Sequence, residues 1–298
     1  MNIQDWLLLV LLSVIWGGAF FFAAVAVKEL PPLTVVGLRT GLAALSLILV
    51  LKWRGESLPF ERHSIRAFLT MGLLNNMVPF SLLFWAQTMI PSGLASILNA
   101  TTPIFSILLA HIFLTDERLA PNKLIGVLLG FIGVVLLLGG DIVRGQTLAL
   151  LGMLACLGAA FSYGIASVYG RRFKQLGYKP TQVAFGQLTA STLMMIPINL
   201  LIDKPWHLAP PSNSTWAAIL ALAIISTAFA YILFFRILAS AGAVNVALVT
   251  LLIPLSAILL GTLILGETLL PRHYAGMSLI AIGLLAIDGR VSSLFKRR

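Results

Sequence analysis

Polar side chains recur in the middle of long apolar stretches of this sequence, where a bilayer would leave them without water. One stretch carries Asn75 and Asn76 beside Phe80; the next carries Asn99 and Thr102; two later ones carry Tyr231 and Thr250. Carboxamides and hydroxyls donate and accept hydrogen bonds without taking up charge, so they suit recognition of a small polar group. Trp16, Phe20, Phe80 and Tyr163 would add wall surface for an apolar or cationic moiety. Arg39 lies about seven residues inside its stretch, roughly 10 Å deep at 1.5 Å per residue. An arginine at the bilayer centre costs about 2.5–3.5 kcal/mol, so its presence needs a reason. Two readings stand: it attracts a ligand carboxylate, or it binds backbone carbonyls and holds segments together. Gln187, at the equivalent place in the second half, is uncharged.

Structural explanations exist for the other residues too. Ser, Thr and Asn often bond across neighbouring helices, at about 0.6 kcal/mol each, and aromatics at helical spacing are usually packing. Pro103 and Pro254 each remove a helix hydrogen bond and free a carbonyl one turn earlier. That carbonyl would bind a substrate amine, or the prolines would simply bend the helices and so serve as gating elements. Asp and Glu fall at or near the ends of the stretches, which removes the usual mid-membrane carboxylate of a proton relay. The four histidines His63, His111, His207 and His273 are scattered without metal-ligand spacing, and no phosphate-cradling motif is present. No cofactor or metal is expected.

The elements that must position these residues are membrane helices. With 59% hydrophobic and 10% charged residues in 298, the chain has too little polar surface for a soluble globule. Ten stretches have the length that crosses a hydrocarbon core: 6–27, 32–51, 67–90, 93–114, 124–140, 147–170, 181–202, 215–238, 243–265 and 274–290. The first is read as a span and not a signal peptide, because Asp5 precedes it without Lys or Arg and no small-residue cleavage site follows. The lone Cys156 permits no intrachain disulfide. The net charge of +10 is accounted for by topology. With the N-terminus inside, cytoplasmic segments and their flanks hold fifteen of the twenty Lys and Arg, and the outer side holds Lys28, Arg144, Lys204 and Arg272. Nucleic acid is unnecessary as a partner; the lipid bilayer and a small molecule suffice.

The two halves resemble each other. Residues 117–133 match 267–283, placing Glu117, Pro121, Gly126 and Gly133 on Glu267, Pro271, Gly276 and Gly283. Pro103 matches Pro254 with a one-residue slip, and 30–39 parallels 178–187. Basic residues swap between equivalent loops, one against four after spans one and six and four against one after spans two and seven, as opposite orientations require. The expected fold is therefore all-α and integral to the membrane: ten transmembrane helices as two inverted five-helix repeats, 1–145 and 146–298, around a central cavity. Glycines 126, 130 and 133 on the fifth span and 276 and 283 on the tenth should let helices pack closely.

The runs "WGGAFF" at 16–21, "LPPL" at 30–33, Arg39, "TTPIFSILLAHIFLTDERL" at 101–119 and "LIPLSAILLGTLILGETL" at 252–269 carry a resemblance to the EamA-type members of the drug/metabolite transporter superfamily. Within them the chain resembles the YddG group of amino-acid exporters. The resemblance implies a basket-like bundle in a bacterial-type inner membrane, both termini cytoplasmic, exporting small metabolites, above all amino acids, by alternating access without ATP. A membrane enzyme, or export of another metabolite or drug class, is the alternative. The substrate contacts expected on either footing are Trp16, Phe20, Arg39, Asn75, Asn76, Phe80, Asn99, Thr102, Tyr163, Gln187, Tyr231 and Thr250.

Overall fold

A computed structural model describes residues 2–56, 62–114, 120–143, 145–246 and 248–288. Glu117 and part of the basic set expected on the cytoplasmic side, including Arg118 and the C-terminal Lys296–Arg298, lie outside the described residues.

The helices are α1 (Ile3–Ala26), α2 (Pro32–Trp53), α3 (Ser64–Ala86), α4 (Ser92–Phe113, interrupted at residues 100–101), α5 (Pro121–Val143), α6 (Thr147–Gln175), α7 (Pro180–Asp203), α8 (Asn213–Ala241), α9 (Val249–Leu265) and α10 (Pro271–Asp288). No strand occurs among the described residues. Among the described residues eight helices are long and apolar enough to cross a membrane, and α9 is a shorter apolar one. The punctuation is local. Proline opens α2, α5, α7 and α10, where its missing N–H costs nothing and its fixed φ suits the first turn. Gly242 (φ 81°) and Gly266 (φ 67°) terminate α8 and α9 in a backbone region that side chains rarely adopt.

Outward faces are apolar and exposed, with Leu7, Leu49, Leu128 and Leu259 among them, as lipid contact demands. Trp6, Trp53, Trp206 and Trp216 are exposed at helix ends, where indole suits the membrane interface. Cys156 is buried and free.

The sequence halves interlock rather than forming two lobes. α1 packs on α8 and α9; α6 packs on α3 and α4; α2 packs on α7 and α8; α7 packs on α2 and α3; α4 meets α9, and α5 lies along α10. The α5–α10 contact is set by glycine. A Cβ on Gly133 would meet the Gly276 carbonyl at 2.8 Å, and one on Gly276 would meet the Gly133 carbonyl at 3.0 Å. Gly126 and Gly283 stand in the same reciprocal relation, whereas Gly130 faces Ile104 of α4.

Three helices loosen into π-helix: α3 at Leu73–Met77, α7 at its end over Asn199–Asp203, and α8 at Ala221–Phe229, the first and last at the level of polar residues that line the bundle's interior. Such bulges rotate the following side chains relative to a regular α-helix and are frequent at functional sites.

Candidate functional site

A cavity of about 940 Å³ runs through the bundle, with a predominantly apolar wall. Its lining continues past Phe173, Lys174, Gly177 and Tyr178 to Pro180, at the end of the bundle where α6 turns into α7. At the opposite end carboxylates tie neighbouring helices and turns together. Glu267, in the α9–α10 turn, accepts from Ser92 N–H at 2.8 Å, the Ser92 hydroxyl at 2.9 Å and Gly93 N–H at 3.2 Å, capping α4. Glu29 accepts from Ser212 N–H and its hydroxyl, both at 2.7 Å, and the Thr34 hydroxyl donates to Asp203 at 2.6 Å. The Ser212 bonds hold the Glu29 carboxyl below its ordinary pKa, the backbone N–H contributing most.

Eleven of the twelve expected contact residues line this cavity: Trp16, Phe20, Arg39, Asn75, Phe80, Asn99, Thr102, Tyr163, Gln187, Tyr231 and Thr250. Asn76 does not. It is fully buried and absent from the lining, so in this conformation it does not reach the cavity as expected. The π-helical turn at Leu73–Met77 carries both amides and sets which of them turns inward. Trp85, from the same stretch, is exposed on the outer face of the bundle.

Arg39 is buried, with its guanidinium carbon 3.8 Å from the Phe80 ring centroid and 5.6 Å from that of Phe84. Its Nε donates to Thr227 Oγ1 in the α8 π-segment at 2.9 Å. Among the described residues no carboxylate pairs with it: Asp5, Glu29, Glu56, Asp203 and Glu267 are engaged by Ser240, Ser212, Thr181, Thr34 and Ser92 respectively. Among the described residues its terminal guanidinium nitrogens make no hydrogen bond, and Arg39 lines the cavity. A stacked, desolvated cation with free donors can receive an anion, and Arg suits a planar carboxylate.

Across the cavity, Asn75 Nδ2 donates to Gln187 Oε1 at 3.1 Å and makes a longer 3.5 Å contact with the Tyr231 hydroxyl. Trp16 stacks at 5.6 Å on Phe234.

The prolines differ from expectation. Pro103 sits in the first turn of a new helical segment after the break in α4, and the Asn99 carbonyl it frees accepts the Thr102 hydroxyl at 2.7 Å. One of that carbonyl's two lone pairs is therefore engaged by the chain's own hydroxyl. Pro254 lies inside the continuous α9. Matched sequence positions thus have different local structures.

Sequence reading missed Gln87, Ser96 and Phe234, all on the wall. Gln87 closes α3, where a polar residue is unremarkable; the signal was its spacing of seven and three from Phe80 and Phe84, which puts all three on one helical face.

A family model for EamA-like transporters matches residues 5–139 and again 150–287. The chain belongs to the EamA-like transporter family. It is a multi-pass membrane transporter. Among its relatives, an uncharacterized transporter of Bacillus subtilis, YoaV, is 28% identical over 91% of this chain and 92% of its own length. A Salmonella typhimurium protein named as a probable amino-acid metabolite efflux pump is 29% identical over 95% of this chain and 94% of its own. YedA, an uncharacterized inner membrane transporter of Escherichia coli, is 29% identical over 93% of this chain and 88% of its own. One crystal structure superposes with a TM-score of 0.68 over 96% of this chain and 98% of that one, at 22% identity, a likeness of fold.

Proposed function

We propose that this transporter exports amino acids, aromatic and other apolar ones included, across a bacterial inner membrane by alternating access without ATP. The observation that carries the reading is Arg39: a buried cation without a carboxylate of its own, stacked on Phe80 in an aromatic-walled cavity open at one end. A carboxylate fits the cation, and the apolar wall fits a hydrophobic side chain. The named amino-acid efflux relative supports the same cargo class.

The two matched regions support a division into repeats of 1–145 and 146–298. The packing supports their inversion. Exchanging α1 with α6, α2 with α7, and so on to α5 with α10 turns every helix pair described above into another of those pairs. The basic-residue swap adds cytoplasmic termini and makes the open end of the cavity the inner one. Because the halves interlock, the moving bodies are not the halves themselves. They are α1, α8 and α9 against α3, α4 and α6, each a packed trio. The transporter and efflux-pump names of the relatives reported above, and a wall of amides, hydroxyls and aromatics, support a non-enzymatic role.

Counterflow of labelled amino acids in proteoliposomes tests this. Exchange of phenylalanine or leucine that saturates and needs no nucleotide is expected; exchange of no amino acid, under conditions where another solute is carried, would refute it.

A further inference from the structure

Arg39 and Gln187 hold equivalent places in the two matching runs, 30–39 and 178–187, on helices that pack together. A fully symmetric site would present either two cations or two amides. This chain presents one of each, and their surroundings differ accordingly. Arg39 offers donors to the cavity and accepts nothing. Gln187 turns its Oε1 toward Asn75 and takes a hydrogen bond from Nδ2 at 3.1 Å, while Tyr231 takes the longer contact. With its N–H groups directed at those two oxygens, the Asn75 carboxamide has its Oδ1 left over. Among the described residues that oxygen has no hydrogen-bond partner, and Asn75 lines the cavity.

The donor and acceptor ends are linked through α8. Arg39 bonds Thr227, Tyr231 follows about one helical turn later, and Tyr231 meets Asn75. Side chains one turn apart are separated by about 5–6 Å, a spacing that hydrogen bonds reaching out from the two charged groups of one amino acid can span.

We infer that Gln187 is a positioning residue, which locks the Asn75 carboxamide so that its oxygen receives the cargo ammonium while Arg39 receives the carboxylate. The inference rests on the amino-acid reading above and deepens it: the replacement of the second cation by an amide makes the site select zwitterions over simple carboxylates.

The test compares counterflow of phenylalanine with that of 3-phenylpropionate, which keeps ring and carboxylate and lacks the ammonium. Gln187→Met removes the acceptor and lets Asn75 turn. Its KM for phenylalanine should rise roughly tenfold, the scale of one lost hydrogen bond to a charged group, with little change for 3-phenylpropionate. Gln187→Glu keeps an acceptor and should restore the discrimination. Tyr231→Phe, which deletes one hydroxyl, should move the ratio the same way by less, and serves if Gln187→Met fails to insert. A merely structural role would move both cargoes together, and equal KM changes in the variants, or none, overturn the inference. Wild-type protein that carries neither compound overturns the amino-acid reading itself, an outcome distinct from an unchanged ratio.

Discussion

Replacing Arg39 with methionine separates a binding arginine from a structural one, because the two roles predict opposite balances of stability and affinity. The buried guanidinium carries an insertion cost of about 2.5–3.5 kcal/mol. Against it stand a desolvated cation–π contact with Phe80, worth about 2 kcal/mol, and the Thr227 hydrogen bond, worth about 1.5 kcal/mol or more with a charged partner. These nearly cancel, and methionine retains much of the side chain's apolar contact. Arg39→Met should therefore melt within a few degrees of the wild type in detergent. Affinity behaves otherwise. Losing a desolvated partner for a carboxylate costs about 2–3 kcal/mol, or roughly 30- to 150-fold in Kd. Arg39→Lys should recover charge without the fork and fall between. Thermal unfolding read with and without a saturating amino acid measures both quantities on one sample. A variant that loses much of its stability yet keeps its ligand-induced shift would refute the reasoning and assign Arg39 to tying helices together.

Other outcomes follow from the packing and the carboxylate ties. Gly133→Leu must part α5 from α10, since even a Cβ would lie 2.8 Å from the Gly276 carbonyl; overpacking of this kind costs about 1–3 kcal/mol, whereas Gly139→Ala, with nothing within 4 Å, should be neutral or slightly stabilising. Melting temperatures in detergent decide, and equal effects at the two sites would discount the close contact. Glu267→Gln weakens the cap on Ser92 and Gly93 by about 1–2 kcal/mol, so on the proposed orientation a cysteine at Ser96 should label from outside up to roughly tenfold faster with an impermeant reagent; an unchanged rate would show that the cap does not hold that end shut. Glu29 has a pKa lowered from 4.5, so its link to Ser212 contributes fully above that value and is lost as pH falls through the lowered one. Glu29→Gln should flatten the acid limb of the melting profile, and an unaltered limb would dissociate the link from stability.

How much could be read from the chain depended on the kind of signal. Arg39 and Gln187 were visible because ionisable and amide groups stand out in apolar runs, and their correspondence followed from the flanking residues. Asn75 and Asn76 were visible as a pair but not separable. Which one faces inward depends on the register of the π-segment at Leu73–Met77, and periodicity read at the α-helical repeat does not see that extra residue per turn. Pro103 and Pro254 looked equivalent, yet one begins a helical segment and the other lies within one, because the break in α4 at residues 100–101 depends on how Thr101 and Thr102 bond back to Leu98 and Asn99. Partner choice was the least legible feature. Hydropathy locates segments, but whether α1 packs on its own half or on α8 and α9 is decided by shape, as at Gly17, where a Cβ would meet the Ile253 carbonyl at 2.8 Å.

That interlocking bears on how such a bundle would move. A ligand shifts a conformational equilibrium only through different contacts in the two states. The polar groups proposed to hold cargo are spread over both trios and the helices between them: Arg39 on α2, Asn75 on α3, Gln187 on α7, and Thr227 and Tyr231 on α8. An amino acid held by Arg39 and Asn75 would bridge α2 to α3, while the Arg39–Thr227 bond ties α2 to α8 on the opposite trio. Bound cargo thus has the geometry to draw α3 and α8 toward each other, while at the far end Glu267 caps α4. On the transport reading, closure at one end and release at the other are then coupled through the same few hydrogen bonds that recognise the cargo, and the carrier needs no carboxylate at mid-membrane to accomplish it.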